Sequence, residues 1–252
     1  MPGQDNIDTL TALNNYLQWG GMPFRFLLDE EAQQAYLRDA FNSVVLRDVV
    51  QRSGVRDVAG LEMIIDFSIE NLGRVMSPSS LSSYLKSVGK TLSTDAIYTY
   101  LRALDGSMLL NRVRRFDLRG KKVMSTLDKY YATDIGLLNS KKPGAGPGQG
   151  DLVDNCVFVE LARRGFDVFT GTAPGFEIDF VATRNGKPRY VQVAYLIGSS
   201  EVAEREFGAL TKVNDNYPRF VISMDPLPME RDGIEHLSLQ QFLLDPPEAL
   251  RG

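Results

Sequence analysis

One cysteine, one histidine and one tryptophan occur in 252 residues, and the first two scarcities exclude whole classes of chemistry. Cys156 alone allows no internal disulfide and no thiolate cluster for zinc, which fits a reducing cytoplasm. His236 alone excludes any site that needs two imidazoles. No apolar run approaches the ~18 residues of a membrane span. Met1-Pro2-Gly3-Gln4-Asp5 is not a basic region followed by an apolar stretch, so no secretion signal is expected. A complete phosphate-binding loop is missing too. Gly89-Lys90-Thr91 resembles its end, but Tyr84 stands where the loop needs its first glycine, and the segment lies between two helices rather than after a strand. No ATP hydrolysis is expected from this chain by itself, and it needs no cofactor of its own.

What is present is globular: 43% hydrophobic and 24% charged residues. The net charge of −4 conceals three blocks, −6 over residues 1–70, +8 over residues 71–142 and −6 over residues 143–252. A basic middle between acidic flanks suggests separate modules, the middle one suited to a polyanion.

Helices are expected over Leu10–Trp19, Glu30–Val50 and Val58–Leu72, from apolar residues at helical spacing. Ser77-Pro78 then reads as an N-cap and first helical residue. Helices over Pro78–Ser87 and Ser93–Leu104 follow, joined by a glycine turn. Strands are expected over Met108–Phe116 and Lys122–Leu127. Helix, turn, helix, hairpin is the order of a winged helix-turn-helix. Residues 141–150, rich in glycine and proline, read as a linker. Beyond them, Asp151 is expected to cap a helix ending near Gly165. A hairpin turns at Asn185-Gly186, and a helix over Glu201–Asn214, a strand over Arg219–Met224 and a helix over Leu237–Leu244 complete a small α/β domain. The fold expected is therefore α+β and multi-domain: residues 1–72, residues 73–142 and residues 151–252.

Arg112, Arg114, Arg115, Arg119, Lys121 and Lys122 fall against the single acid Asp117. On a wing they would meet phosphates. Otherwise they form a solvated face or a docking surface for the acidic flanks. The second helix offers Thr94, Asp95, Tyr98, Thr99 and Arg102, a poor surface for reading bases, so weakly specific binding to DNA is expected. In the C-terminal hairpin a two-residue turn pairs Asp179 with Gln192 and Phe180 with Val191, which buries one face and gathers Glu177, Asp179 and Gln192 on the other. Glu160 shares a helical face with Val153 and Val157. Converging carboxylates can hold a divalent cation; alternatively these are acids on a solvated strand face. Cys156 and Trp19 read as packing residues. His236 sits in an exposed-looking stretch and is assigned no role.

Gly20-Gly21-Met22-Pro23, Leu46-Arg47-Asp48-Val49, Lys129-Tyr130-Tyr131-Ala132-Thr133-Asp134-Ile135-Gly136-Leu137, Val153–Leu161, Glu177-Ile178-Asp179-Phe180-Val181 and Tyr190-Val191-Gln192-Val193-Ala194 follow in order. Together they resemble the C-terminal half of a bacterial and archaeal family of predicted AAA+-like ATP-binding proteins. In that family a P-loop ATPase domain precedes a winged helix and a domain of unknown function related to PD-(D/E)XK nucleases. The resemblance implies a missing ATPase domain in cis, which would bind ATP and magnesium. It also implies a helical lid-like first segment in which Gly21 and Pro23 contact that nucleotide, and a nuclease-like C-terminal domain. Glu160 and Asp179 would be its metal-binding acids, so a divalent metal at Asp179 is possible. The acid-x-lysine signature falls on Gln192-Val193-Ala194, where both the charge and the lysine are lost. The function expected is a non-catalytic nucleic-acid-binding or partner-binding portion of an ATP-dependent protein. A live metal-dependent nuclease and a purely structural protein-docking module are the alternatives.

Overall fold

The computed structural model describes residues 8–124, 127–141 and 147–251. Residues 142–146 of the expected linker lie outside these described residues. Secondary structure begins with α1 (Thr9–Trp19), a 3-10 turn over Pro23–Leu27 and α2 (Glu30–Val44), which widens into a π-helical stretch over Val45–Gln51. Next come α3 (Val58–Glu70), β1 (Val75–Met76), α4 (Pro78–Ser87) and α5 (Thr94–Gly106). The cap expected at α4 is in place, with Ser77 accepting the Ser80 N–H at 3.0 Å; Ser93, read as the first residue of the next helix, is instead its N-cap and accepts the Ala96 N–H at 3.2 Å.

The long strands expected after α5 are broken up. β2 (Leu110–Val113), β3 (Arg115–Asp117) and β4 (Lys122–Val123) are short, and an unforeseen β5 (Asp128–Ala132) follows. β1, β5 and β2 make a three-stranded antiparallel sheet, whereas β3 and β4 leave it for a second sheet. After α6 (Ile135–Lys141) and α7 (Gln149–Arg163) come β6 (Asp167–Ala173), β7 (Phe176–Arg184), β8 (Lys187–Val193), α8 (Ser200–Thr211), β9 (Arg219–Ser223), β10 (Glu230–Arg231), β11 (Ile234–Ser238) and α9 (Leu239–Leu244). The second sheet is mixed, in the order β10-β11-β9-β8-β7-β6-β3-β4. The chain is thus mixed α/β, with several domains' worth of elements.

Two details correct the sequence reading. Gly148, not Asp151, is the N-cap of α7; Asp151 reaches back to accept the Gly148 N–H at 3.1 Å. Leu237 and Ser238, expected to begin the last helix, instead end β11, and α9 starts at Leu239.

Three hydrophobic clusters organise these elements. One joins α2, α3, α4, α5 and α6 to β2 and β5. A second packs α1, α7 and α9 on one face of the large sheet through Phe180, Val191, Phe220 and Ile222, and takes in Tyr131 and Val113 from the smaller sheet. The third lies under α8 on the opposite face. Helix α1, expected in a separate N-terminal segment, buries Leu13 and Leu17 against the C-terminal elements. Strand β5 belongs to both sides: Tyr130 and Ala132 enter the first cluster and Tyr131 the second.

Candidate functional site

The hairpin at Asn185-Gly186 turns with φ of 53° and 73° and pairs Phe180 with Val191, as its sequence dictates. On its other edge β7 is irregular. Phe169 pairs with Val181 but Gly171 with Ile178, so Asp179 and Phe180 together oppose Thr170. This is a β-bulge at Asp179, a device that re-aims a side chain. The Asp179 carboxylate accepts the Val193 N–H at 2.9 Å, and the Asp179 N–H donates to Gln192 Oε1 at 3.4 Å. Asp179 and Gln192 therefore meet, as the sequence register required.

Glu160 does not join them. Its carboxylate is buried and held by Arg163 and Arg164, each at 2.7 Å. The acid of α7 that feels the Asp179 charge is Asp154, whose carboxyl is raised well above the usual range by burial first and by Asp179 second. Burial likewise pushes Asp179 up to about 6, against the opposing pull of Lys129 and of the Val193 amide. Lys129, only 8% exposed, comes from β5 and pairs with Glu177 at 2.5 Å. On the same strand the Tyr131 hydroxyl is fully buried without a hydrogen-bond partner among the described residues; burial raises it strongly, with Asp154 and Asp179 adding to the effect.

Of these groups Glu177, Asp179 and Gln192 line an open cleft of about 870 Å³ between α8 and the β7–β8 hairpin, with Glu201, Arg205 and Glu206 opposite them. Among the described residues no three histidine, cysteine or acidic side chains are grouped to hold a metal. Asp154 and Asp179 supply two carboxylates, with the Gln192 amide oxygen beside them. Ala194 is buried, and its N–H donates to the Ile222 carbonyl at 3.0 Å.

The six cations of the basic run do not act together. Arg112 is paired with Asp128 at 2.7 Å, and Arg114 lies 5.9 Å from the ring of Phe169. Lys121 leans toward Asp215 at 3.8 Å. Arg115, Arg119 and Lys122 remain around the β3–β4 hairpin. Arg102 is exposed on the outer face of α5 with Tyr98 and Thr99.

Gly20 and Gly21 form a joint with Asp134. The Asp134 carboxylate accepts N–H groups from Gly21 at 2.7 Å, Gly136 at 2.8 Å and Leu137 at 3.3 Å. A Cβ on Gly20 would lie 2.0 Å from Asp134, and one on Gly136 only 1.9 Å from the Trp19 carbonyl. Two of the motifs read separately in the sequence are therefore halves of one contact. Arg25 anchors the next turn from inside, bonding Gly20, Gln33 and Asn15 while 1% exposed, so Pro23, Phe24, Phe26 and Leu27 face outward.

His236, expected to be exposed, is buried at 1%, and its Nε2 lies 2.8 Å from Ser223 Oγ. The hydroxyl in turn bonds Asp225 at 2.7 Å, a polar link that ties β9 to β11. Lys129 and Asp154 are the site residues that sequence reasoning missed. The signal available for Asp154 was its helical face, shared with the buried Phe158 and Leu161.

No solved structure matches this chain. Over 245 residues, 95% of the chain, it is 33% identical to an uncharacterized protein of Haemophilus influenzae and covers 60% of that protein. Over 240 residues, 93% of the chain, it is 24% identical to an uncharacterized protein of Methanocaldococcus jannaschii and covers 53% of it. The chain thus spans little more than half the length of the relatives it matches. A domain of unknown function, DUF8612, matches residues 10–143, more than half of the sequence, and the chain belongs to that family.

Proposed function

We propose that this chain is the nucleic-acid-binding, non-catalytic portion of a longer ATP-dependent protein of the AAA+-like kind. The observation that carries the reading is the arrangement around the smaller sheet. Strand β1, helices α4 and α5, and strands β2 and β5 follow the order of a winged helix-turn-helix, with α5 turning Tyr98, Thr99 and Arg102 outward. Residues 114–124 take the place of the wing, and Arg114, Arg119, Lys121 and Lys122 are exposed there. Phosphate contacts from such a hairpin give affinity without sequence information. The outward Pro23 and its exposed aromatic neighbours are placed to meet another domain in cis. The ATPase partner itself rests on the family resemblance and on the greater length of the relatives. The test is fluorescence anisotropy with duplex DNA across a salt series. Binding that weakens steeply with salt supports the reading; no binding at low ionic strength removes it.

One observation favours a second reading, a metal-dependent nuclease of PD-(D/E)XK type. The lysine absent at position 194 has a counterpart in Lys129, delivered by β5 to the same carboxylates. Manganese titration by calorimetry on the wild type, Asp154→Ala and Asp179→Ala tests it, together with a cleavage assay on Lys129→Met. Heat of binding that survives both acid substitutions eliminates a shared metal site.

A further inference from the structure

The β3–β4 hairpin is not a free wing. Strand β3 pairs in parallel with β6, Arg115 opposite Thr170 and Asp117 opposite Thr172. The registers set Lys122, Asp117, Thr172 and Glu177 in one row across β4, β3, β6 and β7. Residues directly opposite one another project to the same face of a sheet. The neighbouring row of Phe116, Gly171 and Ile178 supplies the cluster under α8, so the row of Asp117 faces the other way.

On that face a cleft of about 430 Å³ opens between the hairpin and the β6–β7 turn, lined by Arg115, Asp117, Arg119, Met124, Thr172 and Pro174 among others. Its one acid is already engaged. Asp117 accepts the Arg119 N–H at 3.0 Å, and the amides of Gly120 and Arg119 hold its carboxyl below the usual range. Gly120 is required there, because a Cβ would sit 2.5 Å from the Asp117 oxygen. Arg115 donates to Thr172 Oγ1 at 3.3 Å, which steers its guanidinium across the cleft. Arg119 and Lys122 have no salt-bridge partner among the described residues. The cleft therefore has one cation steered into position, two more beside it without a salt-bridge partner among the described residues, and no unsatisfied anion.

Resting on the nucleic-acid reading above, we infer that this cleft seats a backbone phosphate, and that the bound strand continues over Pro174 and Gly175 to the rim of the carboxylate cleft at Glu177. The row from β3 to β7 spans two strand spacings, about 10 Å. That is about three base-pair rises along a duplex axis at ~3.4 Å each. At the far end Glu177 is paired with Lys129, so the strand meets an ion pair there rather than a bare carboxylate. Because β3 is hydrogen-bonded into the large sheet, a phosphate held at Arg115 and Arg119 positions the strand relative to Asp179.

Directed cleavage tests this path. Cys156 is the only cysteine and is buried, its thiol pushed up to about 12, so an introduced cysteine labels selectively. An iron chelate that generates hydroxyl radicals is attached at Pro174→Cys and, separately, at Tyr98→Cys on the exposed face of α5. Each is bound to an end-labelled duplex. Cuts from both probes, at positions offset from each other, are expected. Arg115→Gln with Arg119→Gln should weaken binding about tenfold and abolish the cuts from position 174 first. Cuts from position 98 alone overturn the inference and leave the nucleic-acid reading standing. Failure of the duplex to bind any variant or the wild type overturns both. Displacement of the duplex by inorganic phosphate beyond the effect of chloride at equal ionic strength assigns the cleft to the free anion and overturns the strand path.

Discussion

Asp179→Asn should make the protein more stable at pH 7.5 and leave it unchanged near pH 4. In the folded chain this carboxyl titrates at about 6, raised chiefly by burial, whereas an unfolded aspartate titrates near ~3.9. A raised folded value means that the native state favours the protonated form. The stabilising contribution is complete below about pH 4 and is lost as pH rises through about 6. The gap of about two pH units corresponds to about 3 kcal/mol at neutral pH. Asparagine keeps an oxygen to accept the Val193 N–H and removes the charge, so it should recover most of that amount. With a urea dependence of ~2–3 kcal/mol per molar for a chain of this size, the midpoint should rise by about 1 M. The single Trp19, packed at the edge of the first cluster, provides the fluorescence signal. A midpoint that falls at pH 7.5, or a shift of equal size at pH 4, refutes the argument. Either result would mean that the ionised carboxylate holds the hairpin together and is not a charge retained at the expense of stability.

Lys129→Met should act in the opposite direction, lowering stability at pH 7.5 and less so at pH 5, because it strands Asp154, Asp179 and Glu177 without their cation. Urea titrations at both pH values read the difference. Charge reversal at Arg115, Arg119 and Lys122 should abolish duplex binding at moderate salt and flatten its salt dependence, by about 0.9 in logarithmic slope for each phosphate that is no longer neutralised. Gly136→Ala should lower stability by about 3 kcal/mol or more, since its Cβ would collide with the Trp19 carbonyl. Gly150→Ala, with nothing within 4 Å, should be neutral or slightly stabilising in the first turn of α7. Thermal melts of the two glycine variants decide that pair.

The parts of the fold that the sequence made legible are those set by local chemistry. The serine cap of α4 and the Asn185-Gly186 turn each act within four residues, and each holds in the structure. Strand β5 was not legible because its pattern is solved by distant partners. Asp128-Lys129-Tyr130-Tyr131-Ala132 is buried throughout, with Arg112 neutralising Asp128 and Glu177 neutralising Lys129. Two charges in five residues read as surface until those partners are known. His236 misled in the same way: a parallel β9–β11 pair buries it against Ser223, and no neighbour in sequence announces that contact.

The choice between Glu160 and Asp154 shows where pattern reasoning fails at a site. Both acids lie on α7 and both face protein, so amphipathicity admits either. They are six residues apart, which at 3.6 residues per turn places them on well-separated faces. Arg164, 8% exposed, reaches the carbonyls of Phe242 and Leu250 as well as Glu160. That network gives Glu160 a structural reason to be buried and a full set of cationic partners. Asp154 has no such network: Lys129 favours its charge, but burial, Asp179, Asp151 and Glu206 together oppose its ionisation. A buried acid whose partners satisfy it is explained by the fold. A buried acid whose neighbours oppose it is unexplained by stability, and that is the residue on which a functional argument should rest. The same criterion selects Asp179, where burial opposes the charge, and passes over Glu160. The candidate cluster was therefore visible in the sequence as a strand motif and hidden as a helix motif, because the strand register is local and the helix partners are not.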